Sequence, residues 1–150
     1  MQPEDLVAIS LFALACCFLV PGYRCLSITL VLAGAMSFVT AELDPPARMF
    51  TNLAICIAEF GIFLWVNLKF RSWPSVPLIF FILAAFMAHL IWFLGSQSIA
   101  AYRAYIFFLN AQYVLSCLLL GVAGVVERYR VYRERHGPDW RSRDLRTHGH

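Results

Sequence analysis

The stretch ARMFTNLAICIAEFGIFLWVNL, residues Ala47–Leu68, decides the fold. At ~1.5 Å per residue it is long enough to cross the ~30 Å hydrocarbon core of a bilayer as a helix. It carries one acid, Glu59, near its middle and one base, Arg48, at its start. Asn52, Cys56, Glu59 and Asn67 are spaced so that, at 100° per residue, they fall within about 80° on one face. A helix that is apolar all round except for one polar stripe reads as a membrane span whose stripe faces something other than lipid.

The rest of the chain is of the same kind. Of its 150 residues 61% are hydrophobic and only 14% charged, and the mean hydropathy is +0.69. A soluble domain carries roughly 45–50% apolar and about 25% charged residues. The surplus is too large to hide in one small core, which argues against a soluble enzyme and for an all-α, polytopic transmembrane bundle. Breaks in hydropathy give about five apolar runs: Leu6–Val20, Cys25–Ala41, Ala47–Leu68, Val76–Leu94 and Tyr102–Val126. The last three meet the ~20-residue requirement for a span, whereas the first two are shorter. Either the bilayer thins around that pair, or the two runs borrow flanking residues to span it; the competing reading is a re-entrant hairpin beside three full spans.

Local punctuation agrees with these boundaries. Asp44-Pro45-Pro46 offers a cap and then prolines at the start of the third run, and Ser75 precedes Val76-Pro77 at the fourth. Pro21-Gly22 is expected to end the first run and Gly95-Ser96 the fourth. The acidic opening, Met1 to Asp5, lacks the basic leader of a signal peptide, so the first run is expected to stay in the membrane.

Charge placement sets the expected topology. With five spans, one side holds Arg24, Lys69, Arg71 and the seven arginines that follow residue 126, and the other holds only Arg48 and Arg103. Ten bases against two predict that the richer side is cytoplasmic, with the N-terminus outside. Residues 1–126 are then a transmembrane domain of zero net charge, and residues 127–150 a charged cytoplasmic tail that supplies the whole +3. The expected location is the cytoplasmic membrane if the source is bacterial or a phage.

Several helix faces differ from their surroundings. Ser27, Gly34, Ser37 and Ala41 share one side of the second run, and Asn110, Tyr113, Cys117, Gly121 and Gly124 one side of the fifth. Small residues allow close backbone approach where packing drives helix association, and Asn110 adds an interhelical hydrogen-bonding group. Such stripes serve contacts within one chain or between copies equally well. In the third run a carboxylate at mid-depth costs at least ~2.5–3.5 kcal/mol, so Glu59 must be neutral, paired or beside water. The fourth run supplies the other ionisable group in the bilayer, His89, about 8 Å nearer the outer face by helix rise. Glu59 and His89 are either structural groups satisfied by neighbouring helices or the lining of a path for ions or protons.

The remaining signals are narrower. Arg128, Arg130, Arg133 and Arg135, with Tyr129 and Tyr132, continue the last helix beyond the bilayer, where they attract anionic headgroups or a partner protein. Four acids interrupt the arginines, which argues against nucleic acid. No zinc-ligand spacing, CxxC pair, phosphate-binding glycine loop or HExxH and GxSxG motif occurs, so no cofactor, metal site or catalytic residue is expected. The five cysteines read as free apolar side chains.

Two functional readings follow. In the first, the chain works through intramembrane helix packing, as an oligomer or as an accessory subunit of a larger complex. Its short length, low-charge outer N-terminus, polar and small-residue faces and charged tail resemble the layout of phage holins, though with more than their usual one to three spans. That resemblance implies a hole-forming, self-associating protein. In the second, it is an ion- or proton-coupled carrier using Glu59 and His89. A membrane enzyme has the least support.

Overall fold

A computed structural model describes residues 3–18, 20–40, 43–95 and 98–136. Five helices make up the bundle: α1 (Pro3–Cys17), α2 (Pro21–Thr40), α3 (Pro45–Phe70), α4 (Ser75–Leu94) and α5 (Ile99–His136). No strand occurs among the described residues. α3, α4 and α5 are long and apolar enough to cross a membrane, and α1 contributes a shorter apolar section, Val7–Cys17. At 1.5 Å per residue the 15 residues of α1 rise about 22 Å, less than the ~30 Å core. The protein is thus an all-helical bundle with three helices that could span a membrane and two further helices, α1 and α2, packed against them.

The helix ends show which local signals act. Asp44 occupies the N-cap of α3, but its side chain makes no capping hydrogen bond; Pro45 and Pro46 set the first turn instead. Pro21 and Gly22 open α2 rather than close α1, because proline at a first turn sacrifices no helical hydrogen bond. Ser75 likewise lies inside α4, whose N-cap is Pro74. Its hydroxyl donates to Asn67 Oδ1 at 2.8 Å, tying the last turn of α3 to the first of α4. Between them Arg71 adopts a left-handed conformation (φ 48°, ψ 41°) that closes α3. Gly95 ends α4 in an extended conformation, with its N–H donating to Ile91 O. Ser98 caps α5 by accepting from Ala101 N–H, a signal not singled out in the sequence.

α1 lies chiefly on α5 and α3 on α4, with α2 joining the two pairs. The α1–α5 seam is dry and close. Cys17 Sγ donates to the Leu120 carbonyl at 3.1 Å, and Cys17, Cys117, Leu120 and Ala123 are fully enclosed. A Cβ on Gly124 would stand 2.5 Å from the Cys16 carbonyl oxygen, and one on Gly121 2.8 Å from the Phe12 ring. The stripe of Cys117, Gly121 and Gly124 is therefore spent on a contact inside the chain. Arg128 caps the same seam by donating to the Ala15 carbonyl, so this arginine closes the end of α1. On α2, Ser27 is buried and returns its hydroxyl to Arg24 O, while a Cβ on Gly34 would meet the Tyr113 hydroxyl at 2.6 Å.

Candidate intramembrane binding site

Between the five helices lies a cavity of about 730 Å³. This is within the ~300–1,000 Å³ range of small-molecule sites. Each helix contributes for a local reason. The α3 polar stripe presents Asn52, Cys56 and Glu59; Asn67, two turns beyond Glu59, is withdrawn to the α3–α4 turn by Ser75. α4 presents Ile82, Ala85 and His89, spaced three or four residues apart, as one inward face. α5 presents Tyr102, Tyr105, Leu109, Asn110, Gln112, Tyr113 and Ser116. Asn110 and Gln112 lie at opposite edges of that face, about 160° apart at 100° per residue. α1 adds Ser10, and α2 adds Gly34 and Ser37.

Four residues singled out in the sequence as polar candidates, Glu59, His89, Asn52 and Asn110, thus meet at one cavity, and Asn67 does not. Glu59 is only 9% exposed, and its carboxyl group forms no hydrogen bond or ion pair among the described residues. The direct Glu59–His89 pair considered from the sequence is not formed. His89 Nδ1 instead lies 2.6 Å from the Tyr105 hydroxyl, with the two rings edge to face at 5.6 Å. Asn110 makes no side-chain hydrogen bond among the described residues; it lines the cavity.

Two sets of hydrogen bonds frame one end of the cavity. Arg48 Nε donates to the Thr40 carbonyl at 3.1 Å, and a second guanidinium nitrogen donates to Leu43 O. The Thr40 hydroxyl is 3.0 Å from both the Ser37 carbonyl and Asn52 Oδ1. Asn52 thus uses its oxygen on Thr40. The Tyr105 hydroxyl and His89 Nδ1 share one hydrogen bond; with the tyrosine as donor, the ring proton sits on Nε2. Trp92 stacks on Tyr105 at 5.5 Å and 15°, and Tyr102 closes the group at 5.4 Å from Trp92. This aromatic cluster makes His89 a rigid, oriented group rather than a free side chain.

Several polar groups on the cavity wall have no side-chain partner among the described residues, Asn110 among them. Besides the Glu59 carboxyl, Gln112 Oε1 is buried with no hydrogen-bond partner. Tyr113 is engaged, through its hydroxyl, 2.7 Å from Ser10 Oγ. Among the described residues the cavity's one fixed cation, Arg48, is eleven residues from Glu59, about 16 Å along α3. The remaining lining is largely aliphatic, including Leu30, Ile55, Phe63 and Ile106. No group of three His, Cys, Asp or Glu side chains able to hold a metal occurs among the described residues.

The sequence did not single out Gln112, Thr40 or Arg48 for this site. Gln112 carried a usable signal, a lone amide inside an apolar run, but it falls outside the Asn110–Tyr113–Cys117 stripe. The Thr40 and Arg48 contacts span the α2–α3 connection and have no signature in either helix. Farther along α5, Arg130 pairs with Glu134 at 3.0 Å on an exposed surface. That hydrogen bond holds the Arg130 guanidinium above its ordinary range. Arg133 is also exposed. The Arg135 side chain and residues 137–150, including the other three tail arginines, lie outside the described residues. Compared with known proteins, the chain matches no protein-family profile, no curated sequence and no solved structure.

Proposed function

We propose that this membrane protein is an ion- or proton-coupled carrier whose exchanging group is Glu59. The observation that carries this reading is an unpartnered carboxyl, nine-tenths buried, on a cavity of about 730 Å³ within the spanning helices. A carboxylate held only for structure is normally satisfied by neighbouring donors, because an unpaired charge at that depth is costly. Two hydroxyls of the cavity wall are engaged elsewhere, Tyr105 with His89 and Tyr113 with Ser10. Glu59 therefore completes its coordination with a proton or a cation, and exchanging one for the other is the elementary step of coupling. The titratable or charged groups facing it across the cavity are His89, Cys56, Tyr105, Tyr113 and the distant Arg48.

The test uses the purified chain in liposomes with an acidic interior, reported by a fluorescent weak base. Addition of sodium, potassium or an alkylammonium salt outside should collapse the gradient faster than in protein-free liposomes. Glu59→Gln, inserted to the same level, should abolish the difference. No collapse with any cation, or equal collapse in the Gln variant, contradicts the reading.

The subunit reading retains one specific feature. A groove of about 560 Å³ on the outer side of α4 and α5 is lined by Ala84, Ala88, Ala101 and Ala104. Small side chains there suit a neighbouring helix. Purification in mild detergent should then bring down a stoichiometric partner, and a lone monomer would count against it. The hole-forming version loses its main support, since the Cys117, Gly121 and Gly124 stripe is occupied by α1.

A further inference from the structure

The distribution of free donors and acceptors around the cavity says more about what it binds. We propose that the Glu59 cavity takes an amphipathic organic ammonium ion: an apolar body with a cationic N–H head that donates to the Glu59 carboxylate. This rests on the carrier reading and names the class of its cargo.

Three observations lead there. First, the Glu59 carboxyl and Gln112 Oε1 have no partner among the described residues, and an ionised carboxylate only accepts, so a ligand that meets its charge must supply donors. Second, the one fixed cation on the cavity among the described residues, Arg48, sits about 16 Å away along α3, bound to the Thr40 and Leu43 carbonyls, so it does not neutralise an ionised Glu59. Third, a cavity of about 730 Å³ lined mainly by aliphatic and aromatic side chains is far larger than a bare alkali ion needs, and supplies no ring of oxygens to replace its hydration shell. An organic body fills that volume and makes burial of its head tolerable, with the faces of Trp92 and Tyr105 at one end. An anionic ligand would have to bury its charge beside Glu59, and a donor-free quaternary ammonium would leave the acceptors unsatisfied.

The experiment measures binding directly, without transport. The full chain is placed in nanodiscs of neutral phosphatidylcholine, and proflavine, an aromatic cation with N–H donors, is titrated by fluorescence anisotropy. Hexylammonium, tetraethylammonium and hexanoate then compete. Wild type should bind proflavine saturably, and hexylammonium should displace it at a concentration at least tenfold lower than either competitor. Glu59→Gln should weaken proflavine at least tenfold, while Glu59→Asp, which keeps the charge but shortens the arm, should stay closer to wild type. A role of Glu59 in shape alone predicts the reverse order, because glutamine is the closer match in size. Absence of saturable binding, displacement by hexanoate as effective as by hexylammonium, or Gln outperforming Asp would overturn the proposal. Cation-driven collapse of the gradient by sodium without proflavine binding refutes this inference and leaves the carrier reading standing. Proflavine binding without gradient collapse does the opposite.

Discussion

The α1–α5 seam and the cavity between the five helices are built from similar residue types and come out opposite. Both use small and polar side chains inside an apolar bundle. In the seam, Gly124 lets two backbones touch, Gly121 admits the Phe12 ring, and the Cys17 thiol finds the Leu120 carbonyl. In the cavity, Gly34 admits the Tyr113 ring, and the bulky aromatics turn to one another and to His89, leaving a space on which the Glu59 carboxyl has no partner among the described residues. The lesson is that composition of a helix face does not decide between packing and binding. What decides is whether the facing helix brings a partner of matching shape and hydrogen-bonding capacity.

The contrast can be broken from either side. The largest expected effect is on activity: Glu59→Gln should remove coupled exchange entirely while shifting thermal stability little, since it deletes a charge that has no partner in the fold. Equal loss of stability and activity would make Glu59 a seam-like structural group. Next comes Gly124→Leu. Overpacking against the Cys16 carbonyl should cost about 1–3 kcal/mol and lower the melting temperature in detergent. Gly61, with nothing within 4 Å of its added Cβ, is the matched control. Gly61→Ala should change stability by no more than about 1 kcal/mol, in the stabilising direction.

Smaller effects sharpen the two regions further. Tyr105→Phe keeps the stack on Trp92 but removes the hydroxyl at His89 Nδ1, a hydrogen bond worth about 0.5–1.5 kcal/mol. Proflavine affinity should fall severalfold and the melting temperature slightly; unchanged affinity would mean that His89 needs no orienting partner. Arg128→Ala should destabilise by no more than about 1 kcal/mol, because the cap on Ala15 is exposed. Arg133→Ala, on the exposed side of the same helix, should leave the melting temperature unchanged.

Much of the fold was legible because hydropathy is a property of contiguous sequence. Five apolar runs became five helices, with boundaries displaced by a few residues where proline began a helix instead of ending one, as at Pro21. The α3 stripe was equally legible, since 100° periodicity alone aligns Asn52, Cys56 and Glu59. Its continuation to Asn67 misled, because Ser75 in the next helix captures that side chain. What periodicity cannot supply is the register between helices. It left Glu59 and His89 as a pair to be tested, whereas Tyr105, from a helix facing both, takes His89. The same missing register hid which helix would fill the Gly121–Gly124 stripe.

The central claim is that the cavity is an open, cation-accepting space and the seam is closed. Native cysteines report on both, with Cys56 on the cavity wall and Cys117 1% exposed at the seam. In liposomes, a chain retaining only Cys56 and another retaining only Cys117 are treated with a small cationic methanethiosulfonate and with its anionic counterpart. The account predicts that Cys56 reacts, faster with the cationic reagent and more slowly once proflavine is present, while Cys117 stays unmodified. Equal inertness of the two cysteines, or preference of Cys56 for the anionic reagent, would contradict it.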